Sequence, residues 1–214
     1  MNSLFLGAGV AERSGLYGRT NRAKLLDQLK CHGVRSRAEL LYAEVDMQEE
    51  LKKEALARLV AESKKHRACK LMRTAPGIGP VYAARVFGTV GTPHRFRSRG
   101  AFWSYCGLAV VHRSSGTTQW GRDGRPFRNN KKVTTLGLNR NNNAALKEVF
   151  KSAAVVAISC DPEFKKLYDG YVERGLKESI ARVHVARKLA TIVLTIWKKG
   201  EKYDPTFLKR TTDA

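Results

Sequence analysis

The sequence predicts a mainly α fold: a long coiled-coil-like helix followed by a helical domain with a helix–hairpin–helix motif and one small β-hairpin. Three observations carry that expectation. Apolar residues recur at intervals of three and four through Arg37–Lys70 and again from Ala144 onward, the spacing of one helix face. Two helical patterns flank the compact run Pro76-Gly77-Ile78-Gly79-Pro80. A single stretch, Leu108–Arg128, has β character around the turn pair Asp123-Gly124.

Taken in order, residues 1–18 contain glycine and serine with one short apolar run and no clear period, and are expected to form an irregular lead-in. A helical, coiled-coil segment is expected over 19–70. Within it Leu25, Leu26 and Leu29 give a short amphipathic helix over Thr20–His32, ended by Gly33. Ser36 then reads as the N-cap of a helix running from Arg37 to near Lys70. That helix is built on Leu40, Leu41, Val45, Leu51, Leu56, Leu59 and Val60, with dense charges of mixed sign. Such an exposed helix is either half of a coiled coil or a helix lying on its own domain.

The main domain is expected over 71–200, with 201–214 as a tail. It opens with LMRTAPGIGPVYAARV (Leu71–Val86). Glycines two apart, flanked by prolines, force a tight reversal with no side chain over the backbone, and positive φ is expected there. The N–H groups of such a turn, and of the helix start after it, suit a phosphate. Pro76, Gly77, Ile78 and Gly79 are therefore candidate contacts to a DNA backbone. An ordinary helix–turn–helix corner would use the same glycines for their dihedrals alone. After it, an Arg-rich loop from His94 leads into an aromatic helix, where Phe102 is expected in the core. A polar, basic run, Asn129–Asn143, opens a helix over Ala144–Ser159; Asp161-Pro162 starts the next. Ile180–Trp197 forms a last amphipathic helix ended by Gly200.

Charge narrows the function. The 214 residues hold 40 Lys+Arg against 19 Asp+Glu, a formal net charge of +21. A surplus of that size repels itself unless a polyanion neutralises it, and nucleic acid is the usual one. The excess is uneven: much of the acid lies in Glu39–Glu62, whereas Arg85–Lys132 is basic with Asp123 as its exception. A membrane surface is the competing polyanion, but Val155–Ile158 and Ala190–Trp197 are too short or too interrupted to span one. Cys31, Cys69, Cys106 and Cys160 are scattered, without a CxxC pair or a flanking His at zinc spacing. A disulfide scaffold and a metal site are thus not expected, and a reducing, cytoplasmic setting is.

Ser114-Ser115-Gly116 follows an apolar strand-like run amid His112, Arg113, Arg122, Arg125 and Arg128. A serine hydroxyl is a weak nucleophile alone. It becomes useful against a phosphodiester when cations stabilise the added negative charge of the transition state. The same tripeptide also serves as an ordinary polar turn. His112 reads as a base, a phosphate contact or an exposed side chain.

The order LMRTAPGIGPVYAARV, FWSYCGLAVVHRSSG, LGLNRNNNAALKEVFKSAA, RGLKESIARVHVARKLATIVLTIWKKG resembles the coiled coil and C-terminal transposase domain of the IS-one-ten family of insertion-sequence transposases. These are serine recombinases guided by a structured bridge RNA. The resemblance covers Thr20 to the end. It implies that the nucleophile is Ser115, with Ser114 the alternative, through a covalent phosphoserine link to DNA. It also places the segment Gly137–Arg140 beside the active site. Arg113, Arg122, Arg125, Arg128, Lys131, Lys132, Asn139 and Arg140 are then candidate DNA contacts. Family members carry an N-terminal RuvC-like domain with four metal-binding carboxylates. Ahead of Thr20 the one acidic residue is Glu12, so this chain is expected to lack that domain, to hold no metal or cofactor itself and to be inactive alone. The resemblance places Mg²⁺ in that domain.

The reading that follows is the serine-nucleophile and DNA-binding half of a transposase, in a bacterial, nucleoid-associated setting. Expected partners are DNA, a guide RNA and further copies of the chain in a dimer or tetramer, with no membrane. The alternatives are a non-catalytic helix–hairpin–helix nucleic-acid-binding protein, or an assembly partner of full-length transposase.

Overall fold

The computed structural model of the chain describes residues 1–10, 15–113, 118–120, 122–128 and 134–210. The described residues are mainly helical, as expected, with short antiparallel strands. They divide into two compact units, Met1–Leu59 and Val60–Ala214.

The first unit begins differently from its expected irregular lead-in. Asn2–Gly7 forms helix α1, because Phe5, 1% exposed, has a core to enter. That core gathers Phe5, Val10, Leu16, Leu25, Leu29, Ala38 and Tyr42. Leu25 lies on α2 (Arg22–Asp27), shorter than the expected Thr20–His32 helix. Helix α3 (His32–Ser63) starts before the expected Ser36 cap, so Gly33 sits inside its first turn and terminates nothing. The reason is an apolar face that begins earlier than the leucines: Val34, Ala38 and Tyr42, four apart, pack with Leu25 and Leu29. Arg22 lies over the Tyr42 ring and donates to Asp46 at 2.7 Å, and Arg19 also reaches Asp46. Further along α3, Leu40, Met47 and Leu51 are more than half exposed.

In the second unit α4 (Arg67–Met72) is a separate helix rather than the end of α3. His66 before it is extended, and its ring stacks on Phe87 at 4.4 Å. Then come α5 (Pro80–Val90), a short 3₁₀ turn at Pro93–Arg95 and α6 (Arg99–Tyr105), which Ser98 caps by accepting from the Ala101 N–H. After the strands follow α7 (Ala144–Cys160), α8 (Pro162–Glu173), α9 (Glu178–Lys199) and α10 (Thr206–Arg210). Asp161 caps α8 through the Glu163 and Phe164 N–H groups, and Gly200 ends α9 in the left-handed region. Both agree with the sequence.

Helix α9 is the axis of this unit. Val185, Ala186, Leu189, Ala190, Val193 and Ile196 on it are fully buried, and α4, α6, α7, α8 and α10 pack against it. Phe102, 1% exposed as expected of a core residue, meets Phe150 edge-on at 5.7 Å. Four strands lie between α6 and α7. Strand β1 (Val110–Arg113) pairs antiparallel with β4 (Thr134–Leu138), with a register shift between Val111 and His112. Strand β2 (Thr118–Trp120) pairs with β3 (Pro126–Arg128) around the Asp123-Gly124 turn. The expected hairpin β2/β3 is therefore nested, in chain order, inside a second pair, β1/β4, which joins residues far apart in sequence; the four strands make up an arm between α6 and α7.

Candidate nucleic-acid interface

The glycine-rich corner joins α4 to α5, and its two glycines face opposite ways. Gly77 has φ +77°, and a Cβ on it would overlap the Ala153 carbonyl oxygen of α7. It is therefore the close-packing point of the corner. Gly79 is extended, φ −78° and ψ 175°, contrary to the positive φ expected of it. Among the described residues beyond its own chain neighbours, nothing lies within 4 Å of where its Cβ would stand. Ile78 is buried, 3% exposed, which puts its side chain in the core. Gly79 is the N-cap of α5 and makes no side-chain cap bond; Pro80 brings no N–H, and the first helical bond is from Ala83 to the Gly79 carbonyl. The Val81 and Tyr82 N–H groups are thus without an intrahelical acceptor. They border an open concavity of about 560 Å³ shared with Arg73, Pro76 and Val156. A helix start of this kind can take a phosphate oxygen.

The arm carries the second group of candidates. Arg122 and Arg125 are exposed in its turn, where the Asp123 carboxylate accepts from the Arg125 N–H. His112 and Arg113 end β1, opposite Thr135 and Thr134, and Arg128 ends β3 opposite Thr118. Ser114 and Ser115, in the connection from β1 to β2, and Lys131 and Lys132, in the connection from β3 to β4, lie outside the described residues. At the foot of β4, Asn139 uses its side-chain amide within the fold. It donates to the Ser104 and Asn141 carbonyls and accepts from the Asn141 N–H. Arg140 is exposed.

The root of the arm holds residues that the sequence does not flag. The Leu108 N–H donates to the Trp103 carbonyl at 2.8 Å, and the Asn139 N–H to the Ala109 carbonyl. The Trp103 indole donates to the Arg187 carbonyl and to the Thr191 hydroxyl, each at 3.0 Å. Arg187 Nε in turn donates to the Leu108 carbonyl at 2.6 Å. This closes a ring of bonds from α6 through α9 to the chain entering β1. Burial pulls the Arg187 guanidinium below the usual arginine range, and burial together with Arg187 pulls His184 below the usual histidine range. The signal in the sequence is a charged residue within the core-facing run Val185–Val193, which periodicity alone treats as a surface position.

Cys69 and Cys106 are buried and Cys31 and Cys160 exposed, all as free thiols, and burial pushes the Cys106 thiol well up. Among the described residues no three His, Cys, Asp or Glu side chains converge to hold a metal ion, and no helix is long and apolar enough to cross a membrane.

Comparison with known proteins bears on this arrangement. A curated relative, an uncharacterized 43.6 kDa protein of insertion element IS110 from Streptomyces coelicolor, is 26% identical over 139 residues. That alignment takes in 65% of this chain and 31% of the relative, so the chain spans about a third of the length of the protein it matches. Residues 69–169, from within α4 through the corner and the arm into α8, match the transposase domain of the IS116/IS110/IS902 family.

Proposed function

We propose that this chain acts in transposition of an insertion sequence, gripping DNA with the α4–α5 corner and the arm and presenting Ser115 to a phosphodiester. The observation that carries the reading is that the family match spans the corner, the four strands and, in sequence, the Ser-Ser-Gly tripeptide between β1 and β2. In the reaction the serine Oγ bonds to phosphorus as the bond from phosphorus to the leaving deoxyribose oxygen breaks. The hydroxyl proton goes to a base, for which His112 is the candidate, and the leaving oxygen takes up a proton. Reversal with a different strand rejoins the DNA. Arg113, Arg122, Arg125 and Arg128 would neutralise the charge gained at phosphorus. Among the described residues no cluster of three or more His, Cys, Asp or Glu side chains converges as a metal site.

A guide RNA, assembly as a dimer or tetramer through α3, and a cytoplasmic, nucleoid-associated setting belong to the same proposal. The test supplies the full chain with a RuvC-like domain of a family member, guide RNA, target DNA and Mg²⁺. A protein–DNA adduct that survives denaturant is expected. Ser115→Ala should abolish it while leaving DNA affinity nearly unchanged, because one neutral hydroxyl adds little to a charge-dominated interface. An adduct lost only in Ser114→Ala moves the nucleophile by one residue. Persistence in both variants removes serine chemistry and leaves a binding protein or an assembly partner.

A further inference from the structure

Arg187 is an unusual place for a positive charge. It sits on α9 among Val185, Ala186, Leu189 and Ala190, each buried, and its own side chain is half-buried. A guanidinium has five N–H donors in a planar fork, and the Leu108 carbonyl takes the one on Nε. Among the described residues no Asp or Glu lies within ion-pair distance of it. Its titratable neighbours are His184, whose ring packs on Tyr171, and Tyr171 itself; neither is a carboxylate. Partly burying a cation without a counter-charge is unfavourable. An anion from outside the chain would offset that cost, and the fork matches a phosphate through two parallel hydrogen bonds. The place matters as well: the bond to Leu108 fixes the guanidinium at the foot of β1, the strand that leads into the serine tripeptide.

We propose that Arg187 is a phosphate-binding residue, holding one nucleic-acid backbone phosphate at the root of the arm with its fork aimed by the Leu108 carbonyl. The inference rests on the nucleic-acid reading above and extends it to a residue outside the matched segment. The bound phosphate aligns the strand with the arm, and it carries no sequence information.

The test is a salt titration of the full chain against 20-base-pair duplexes of unrelated sequence, comparing the parent with R187Q and R187K. Removing one phosphate contact lowers the slope of log affinity against log salt by about one. R187Q should show that drop with every duplex, with weaker binding at low salt, and R187K should keep the parent slope. A residue that merely braces Leu108 would lower the melting temperature of R187Q and leave the slope unchanged, which overturns the proposal. Should R187Q not fold, the parent decides: its Arg187 Nε–H nuclear resonance, identified by its absence from R187K, should move on adding duplex. A resonance that stays put while backbone amides of the arm move overturns the proposal and spares the nucleic-acid reading. A parent that binds no duplex removes both.

Discussion

Gly77 and Gly79 look equivalent in the sequence, and the structure separates them. Gly77 has a left-handed φ and its missing side chain makes room for the α7 backbone, which cannot yield as a flexible side chain would. Gly77→Ala should therefore cost about 2–5 kcal/mol, adding backbone strain to overpacking. Gly79→Ala meets ordinary φ and open space, and should stay within about 1 kcal/mol of the parent. Urea unfolding of both variants checks this, and a Gly77→Ala as stable as the parent would refute the packing role. DNA affinity of the folded Gly79→Ala then reports on the phosphate cradle by itself. His184 supplies a pH prediction. Burial and Arg187 lower its folded pKa, so between that value and the unfolded value near 6.5 the unfolded chain binds more protons. The contribution is complete above about pH 6.5 and is lost as pH falls through the folded pKa. Stability of the parent should drop between pH 7.5 and pH 5, and His184→Gln should drop less over the same range.

At the scale of elements, α3 is the helix with an unfinished surface. Leu40 is 70% exposed, Met47 56%, Leu51 52% and Leu59 37%, at spacings that keep them near one face. Exposed ion pairs such as Arg35–Glu39 and Glu54–Arg58 run along the same helix and each contributes only a few tenths of a kcal/mol. Self-association through this stripe is the expected use. Sedimentation at rising protein concentration should show an oligomer, and the double change Met47→Lys with Leu51→Lys should shift it to monomer. A parent that stays monomeric throughout, with and without DNA, excludes that use. The ends of α3 were only partly legible. Its period was plain, but its start depends on Val34, Ala38 and Tyr42 meeting Leu25, and α4 is set apart by the stacking of His66 on Phe87. Both are contacts with other elements, and a periodicity count cannot register them.

For the whole molecule the dominant quantity is charge. A net +21, concentrated over Arg85–Lys132, makes binding to nucleic acid chiefly a matter of counter-ion release. Affinity for duplexes of unrelated sequence should fall by roughly several-hundred-fold or more between low and above-physiological salt, for about six phosphate contacts. Fluorescence anisotropy across a salt series measures it, and an affinity that hardly changes refutes the charge-driven interface.

The sequence by itself determined the helical class, the caps at Asp161 and Gly200, the position of the corner, the Asp123-Gly124 turn and the imbalance of charge. The helical class, caps, corner and turn depend on neighbours within a few residues, where side-chain period, capping and turn chemistry act, and the charge is a sum over residues. Only the tertiary structure decided that Gly77 rather than Gly79 is locked against α7, and that β1 finds β4 around the inner hairpin. It alone placed Arg187 beneath the arm, bonded to Leu108 79 positions away in the chain. Those choices follow from which surfaces meet when the core around α9 closes. Local sequence sets the shape of each element, and burial of the shared core selects its partners.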